Sequence, residues 1–563
     1  MCLSTIGDSA TERLSRIITR GRVVGCTRGE AKELLKLPVS FSNPRRPATQ
    51  PFSEETADVP LHTVVVGGGL AGLAAATALA DREIDVTLLE SRPRLGGRAG
   101  SFLDRDTGEQ IDNCQHVSLG CCTNFRHFCE TLGFARFLHT ARELFFVGPG
   151  RDGPGSGGSD GRTTMANGSP RINRFSAARL PAPLHLWPAL RRLDYLSRDD
   201  RRAIAGGLRA LVRVGSVSSS RPPAGQAFDQ WLVDHGQTPA AIERFWNVVL
   251  VSALSESLDR IDPPHARKVF VDAFLANRRG ADVQIPTVPL DEFYGDALTA
   301  WLDRRGAVIR LGTGVERVIV ENERVYEIQL RDGGRIAADH FVVAVPHHRV
   351  LSLLPDPLRK HPRLKGIDRL EAAPISSVHL WFDRPITRLP HAVLIGRLSQ
   401  WMFNRTALMQ MTEHGREIDS RTVRPAAGAE KRFYYQVVIS ASRDVIGRPR
   451  EETMAEVVDE LRSIFPAAVE AHLLHSRLVS EHKAVFSVRP GTDDLRPPQQ
   501  SPVPNLQLAG DWTATGWPAT MEGAVRSGYR AAENILDQLG RPEQIVRPDL
   551  PISLLSRLLL RLR

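Results

Sequence analysis

An α/β fold is what this sequence predicts: a parallel sheet wound with helices, interleaved with a second, α+β region. Three observations carry that expectation. Near residue 62 a β-branched run enters a glycine-rich turn and then an Ala/Leu-rich stretch. Residues 306–346 return to alternating apolar and polar positions broken by short turns. Residues 506–528 repeat the strand, turn and helix pattern near the other end of the chain.

The first unit runs HTVVVGGGLAGLAAATALADREIDVTLLESRPRLGGR from His62 to Arg98. Thr63 to Val66 is a continuous β-branched run, as expected of a parallel strand buried on both faces. Gly67, Gly69 and Gly72 follow in G-x-G-x-x-G spacing. The first suits a tight turn, the second a backbone that approaches a pyrophosphate, and the third close packing of helix on strand. Leu70 to Ala80 is then the helix, and its opening residues Leu70 and Ala71 bring N–H groups and the positive dipole end toward phosphates. Asp85 to Leu89 is the second strand. Glu90 stands at its end, where an acid binds the ribose hydroxyls in dinucleotide folds. An acid there, not an arginine, favours an unphosphorylated ribose, hence FAD or NAD over NADP.

Arg94-Leu95-Gly96-Gly97-Arg98 comes directly after this acid. The continuation resembles the flavoprotein superfamily of amine oxidases and carotenoid desaturases. That resemblance implies FAD, with Gly97 and Arg98 lying against its pyrophosphate; an arginine fork suits phosphate oxygens.

Composition is that of an ordinary enzyme: 563 residues, 42% hydrophobic and 24% charged, enough for two or three domains. A net charge of +9 favours anionic surfaces in general, including phospholipid headgroups. The basic residues are scattered arginines without a nucleic-acid motif, so no nucleic-acid partner is expected. The six cysteines are Cys2, Cys26, Cys114, Cys121, Cys122 and Cys129. They form no pair of C-x-x-C motifs, so no metal site is expected, and the pattern fits a reducing cytosol. Residues 1–58 read as a disordered tail, a targeting arm or an upstream start; they carry no apolar core of signal-peptide length. No run of 18 apolar residues occurs, so no membrane-spanning helix is predicted.

Ser101 to Asp112 reads as strand, turn and strand. The run Asp112-Asn113-Cys114-Gln115-His116 through Asn124 then sets amide and imidazole groups together just past a strand end, where α/β folds place ligands. DNCQHVSLGCCTN, with the helix from Phe125 to Leu132, resembles the squalene-associated FAD-dependent desaturases, also described as hydroxysqualene dehydroxylases. His116 is either a proton donor or substrate-orienting group, or a hydrogen-bonded structural histidine. Residues 148–172 are a Gly/Ser-rich insertion unable to bury a core. Residues 173–300 read as a helical substrate region. Within it Glu243 to Glu256 resembles the family's substrate-domain helix, and Trp246, Val249, Leu250 and Leu254 line a greasy tunnel or fill ordinary core. Residues 301–350 complete the nucleotide fold as a meander, with Val315 matching the family position whose backbone meets adenine. Residues 351–480 supply substrate-domain strands and the helix Glu451 to Phe465, with a polar loop between Glu413 and Lys431.

Residues 481–540 bring the second strong signal. Leu506 to Gly510 is strand into turn, followed by DWTATGWPATMEGAVRSGY. By resemblance, Gly510 and Asp511 hold the ribityl or pyrophosphate end of FAD. The helix from Met521 and Glu522 points its N-terminus at the flavin pyrimidine, favouring negative charge there. Gly523 and Gly528 are expected to let that helix approach the cofactor. The last cysteine is Cys129, so the thioether anchor common near this end in amine oxidases is absent and FAD is expected to be non-covalent. The resemblance spans roughly residues 62–540.

As a whole it implies a two-part Rossmann-like, GR2-type FAD-binding domain interleaved with the substrate domain, and the reductive conversion of hydroxysqualene to squalene by hydride from reduced flavin, in hopanoid or triterpenoid synthesis. His116, with Asn113 or Gln115, is the candidate for leaving-group assistance. Two rivals stand beside this reading: a phytoene- or carotenoid-type desaturase, and an FAD-binding protein that escorts lipid intermediates. The partner expected is a lipophilic isoprenoid in a cytoplasmic protein. Residues 541–563 end in LPISLLSRLLLRLR, whose leucines share a helical stripe with Arg557 and Arg561 four apart. That segment either lies on the inner face of a membrane or docks on the protein itself.

Overall fold

A computed structural model describes residues 61–149, 170–215, 225–413 and 432–562. The readings of residues 1–58, of most of the Gly/Ser-rich insertion and of the polar loop before Lys431 lie outside the described residues.

The nucleotide-type unit forms where the sequence expects it. Strand β1 (His62–Val66) leads through the glycine turn into helix α1 (Leu70–Ala80) and back to β2 (Asp85–Leu89). Three later strands join this sheet: β3 (Val308–Arg310), β4 (His340–Val343) and β5 (Leu506–Leu508). The order is β3-β2-β1-β4-β5, and every pairing is parallel. Val64, Val65, Phe341 and Val342 are fully buried, because helices cover both faces of such a sheet. Every residue of α1 is buried; its small Ala side chains admit a second helix at close range.

That second helix closes the chain's other end. Of the later helices, α2 is Thr123–Thr131, α3 is Met521–Gln538 and α4 is Leu554–Leu560. A Cβ built on Gly528 of α3 meets the Ala71 carbonyl oxygen at 2.2 Å. Gly528 therefore serves the packing of α3 on α1, and not, as the sequence suggested, approach to a cofactor. Gly523 likewise faces the Pro518 carbonyl, 2.9 Å from a built Cβ.

Between β3 and β4 the chain makes the antiparallel meander Val315–Glu321, Arg324–Leu330, Arg335–Ala337. A second, seven-stranded mixed sheet lies outside this unit. Its order is Leu473–Phe486, Ala372–Phe382, Phe433–Ser440, Trp401–Asn404, His391–Leu394, Glu143–Gly148, Arg171–Ser176. Helix Arg450–Ile464 buries its apolar face against the outer side of this sheet. Opposite lies the helical region. Two of its segments, Ile242–Asn247 and Lys268–Leu275, are π-helical, a local widening that often accompanies functional sites.

Candidate functional site

The parallel sheet, the seven-stranded sheet and the helical region enclose one cavity of about 1020 Å³. That is at the top of the usual range for ligand pockets, about 300–1,000 Å³, and the lining changes character along its length.

At the sheet end the wall is backbone and charge. Gly67 takes φ +110°, and a Cβ there would meet the Ala344 carbonyl oxygen at 2.5 Å; only glycine makes this turn without strain. Gly72 lies off the cavity, and its built Cβ falls 1.9 Å from the Gly67 carbonyl oxygen, so it serves helix-on-strand packing. A Cβ on Gly69 meets nothing within 4 Å. Gly69, Leu70 and Ala71 line the cavity, and first-turn N–H groups of a helix have no intrahelical acceptor. Buried Glu90 accepts from the Gly68 and Arg92 N–H groups, each at 2.8 Å. Val315 lines the same end. Open space over Gly69, free helix N–H groups and a fixed carboxylate suit a pyrophosphate with its ribose, and the site fits a dinucleotide such as FAD.

The Arg94–Arg98 loop folds back on the glycine turn, with the Gly96 N–H donating to the Gly68 carbonyl at 2.9 Å. Arg98 then donates to Asp511 at 2.7 Å and to the Ala484 carbonyl at 2.7 Å. Two motifs 413 residues apart thus meet at one wall. Burial works against the Arg98 charge, but Asp511 and Glu481 outweigh it and hold the guanidinium charged. Gly97, Gly510 and Asp511 line the cavity beside it.

Helix α3 also starts here, its Thr520 Oγ1 accepting from the Gly523 N–H at 3.1 Å. Met521 and Glu522 reach the cavity. The Glu522 carboxylate, however, is turned into the protein. It accepts from the Asn124 and Phe125 N–H groups at 2.9 and 2.8 Å and from the Asn124 amide at 2.8 Å. It caps α2, so what Glu522 offers a cofactor is backbone at the helix N-terminus. Burial raises its pKa against the pull of these donors and Arg526.

The loop at residues 112–118 crosses the middle of the cavity. Asn113, Gln115 and His116 all line it, as the sequence anticipates, but their side chains are engaged differently. Asn113 donates to the Arg98 carbonyl at 3.4 Å. Gln115 is held at both ends: its amide donates to the His116 carbonyl at 3.0 Å, and its oxygen accepts from Arg405 at 2.8 Å. Gln115 is therefore better placed to fix the loop than to touch a substrate. His116 Nδ1 sits 2.9 Å from the Cys114 carbonyl. A carbonyl only accepts, so Nδ1 carries the proton and Nε2 of the neutral ring is an acceptor. Burial lowers the His116 pKa and Arg98 adds to that, against the Cys114 carbonyl and Asp112. The ring is thus kept neutral, which suits orienting a hydroxyl and opposes proton donation. Burial pushes the Cys114 thiol up to about 12, so it is no thiolate nucleophile.

Sequence reasoning missed Arg405. It is 1% exposed, donates to the Pro286 and Val288 carbonyls at 2.9 and 3.3 Å, and lies 3.6 Å from the Asp112 carboxylate. Nothing local marks it, since its partners lie more than a hundred residues away.

Beyond the loop the walls turn apolar. Phe245, Val249 and Phe270 face Ile375, Phe403 and Val438 across the space. Of the four tunnel candidates, Val249 lines the cavity, whereas Trp246, Leu250 and Leu254 are buried core. The two π-helical segments supply Phe245 and Phe270. Pro183, Leu184, Trp187 and Leu560 also line the cavity, and with Leu184 and Trp187 each 43% exposed the lining reaches the surface here, at its mouth.

The profile of the family described as "Flavin containing amine oxidoreductase" matches residues 70–536. The chain is 25% identical over 517 residues to the 15-cis-phytoene desaturase of Arabidopsis thaliana, covering 90% of this chain and 83% of that protein. It is 26% identical over 501 residues to the 15-cis-phytoene desaturase of Synechococcus elongatus, covering 85% of this chain and 98% of that one. Among solved structures, an oxidoreductase from Methanosarcina mazei superposes with a TM-score of 0.61 at 18% identity, over 84% of this chain and all of that one.

Proposed function

This chain belongs to the flavin containing amine oxidoreductase family and is an FAD-dependent oxidoreductase, and from that premise we propose that it acts on a long, lipophilic isoprenoid, reducing hydroxysqualene to squalene. One observation carries the proposal: a charged, backbone-lined nucleotide end and an apolar chamber belong to one cavity, with a polar loop in its wall. Bound FAD supplies hydride chemistry at the junction. Gly69, Glu90, Arg98, Val315, Asp511 and the N-terminus of α3 would hold it, without a covalent link. The aromatic and aliphatic walls bind the chain of the substrate and exclude water that would capture a cation at the reacting carbon. The neutral Nε2 of His116 accepts a hydrogen bond from the substrate hydroxyl and orients its carbon; the proton with which that hydroxyl leaves as water comes from solvent, because the ring has none to give at Nε2.

A hydroxyl-bearing substrate gives His116 and Asn113 a purpose, which a pure hydrocarbon does not. The wording of DNCQHVSLGCCTN and GDWTATGWPATMEGAVRSGY supports the same choice. The second reading, desaturation of a phytoene-like hydrocarbon with oxidised FAD as acceptor, is favoured by what the similar proteins of Arabidopsis and Synechococcus are named for. Mass spectrometry separates the two. The dithionite-reduced enzyme is given hydroxysqualene and the oxidised enzyme phytoene, each without oxygen. Squalene formed with flavin reoxidation supports the first reading; flavin reduction by phytoene with a product two hydrogens lighter replaces it with the second.

A further inference from the structure

We propose that the face around the cavity mouth, built by residues 179–192 and α4, docks onto an anionic phospholipid bilayer. Among the described residues, sixteen large apolar side chains are exposed, and six of them gather here: Leu180, Leu184, Trp187, Leu554, Leu558 and Leu559. They belong to one surface because the two segments are tied together. Ser553 donates to the Ala182 carbonyl at 2.8 Å. Its N–H reaches the Ala276 carbonyl at 2.9 Å, and Ser556 donates to the Leu275 carbonyl at 2.7 Å. Helix α4 is thus fixed by its serine side and turns its leucines outward, with Leu554 85% and Leu558 74% exposed. Both sequence readings of this segment hold a part: it docks on the protein and still presents an apolar stripe.

The surrounding charge identifies the occupant. Arg179, Arg191, Arg192, Arg278, Arg557 and Arg561 are all exposed on these segments or beside them. Arg278 is linked to the patch through the Ala178 carbonyl at 3.3 Å. A second copy of this chain would bring the same arginines face to face, since a twofold interface is self-complementary. Anionic headgroups neutralise them, while the leucines and Trp187 enter the acyl boundary. The mouth residues Leu184 and Trp187 belong to both the cavity lining and this patch. Docking therefore sets this part of the cavity lining against the bilayer. That coupling rests on the isoprenoid reading; the docking surface itself does not.

The test uses the full-length holoprotein in vesicle sedimentation. Wild type should sediment with phosphatidylcholine vesicles that contain phosphatidylglycerol, and much less with phosphatidylcholine alone. The Leu554→Asp/Leu558→Asp variant should lose at least about tenfold in partitioning, and Arg557→Glu/Arg561→Glu should lose the preference for anionic lipid. Flavin absorbance and melting must match wild type, as expected for exposed positions. Wild type left in the supernatant with anionic vesicles overturns the proposal, as do two variants that bind like wild type. A wild-type dimer in size exclusion that the Leu→Asp pair dissociates would instead assign the patch to a second copy. Vesicle binding without turnover of either isoprenoid would remove the substrate reading and leave the docking surface standing.

Discussion

His116 shows how a single backbone acceptor fixes chemistry. With Nδ1–H committed to the Cys114 carbonyl, only Nε2 faces outward, and its usefulness depends on remaining neutral. Burial and Arg98 lower its pKa, so turnover of the hydroxylated substrate should hold as pH falls through the ordinary histidine range. Its acid limb should lie below about pH 6.5; a limb above that value would remove the acceptor role. His116→Ala should cost on the order of 10²-fold in turnover through lost positioning, with flavin content unchanged, as read by bound-flavin absorbance and single-turnover kinetics. Arg405 works one step further back. Removing one member of a buried pair leaves the other uncompensated, typically at about 3–5 kcal/mol. Arg405→Met strands Asp112, whose Oδ2 has no hydrogen bond, and frees Gln115. The denaturation midpoint should fall clearly, and His116-dependent turnover should fall with it.

At the scale of elements, the contact of α1 with α3 joins the two FAD-side motifs. Gly528→Ala would place a methyl 2.2 Å from the Ala71 carbonyl oxygen, and overpacking of this kind costs about 1–3 kcal/mol. Flavin retention on dialysis should weaken, because the N-terminus of α3 moves with the helix. Gly206→Ala is the control: it lies inside helix Arg198–Leu211 with nothing within 4 Å of a built Cβ. There the exchange should stabilise by about 0.5–1 kcal/mol, seen as a higher melting midpoint. Equal shifts in both variants would contradict this account. The pair also shows what was legible in advance. Local pattern located α1 and β2 to the residue, since a glycine turn, an Ala-rich run and a β-branched run are short-range signals. It read Gly528 as a glycine of close approach but took the cofactor for its neighbour; the neighbour is Ala71, far away in sequence. For the same reason Arg405 went unseen, and Trp246 was not separable from Val249. Burial on a helix depends on the neighbour, and the π-helical turn at Ile242–Asn247 shifts which side chains face the chamber.

At the scale of the whole molecule, buried neutral histidines govern the response to acid. Burial, the leading cause in each case, lowers His379 to about 3 and His185, His347 and His391 to about 4. All four are nearly inaccessible to solvent. In the unfolded chain they titrate near 6.5, so between about pH 6.5 and 4 the unfolded state binds protons that the folded state refuses. These four rings make stability rise with pH across this window and fall on acidification. At about 1.4 kcal/mol per pKa unit, each group contributes on the order of 3 kcal/mol, before discount for coupling and relaxation. Carboxylates held low by their partners, such as Asp104 and Asp200, add their loss only below about pH 4, so the two limbs separate. Urea midpoints of the holoprotein at half-unit steps from pH 7.5 to 4 should therefore decline steadily from about 6.5 downward. His379→Gln should flatten part of that slope, because glutamine carries no titrating proton. A midpoint constant from pH 6.5 to 4.5 would mean that these rings find proton partners within the folded chain, and would sink the argument from burial.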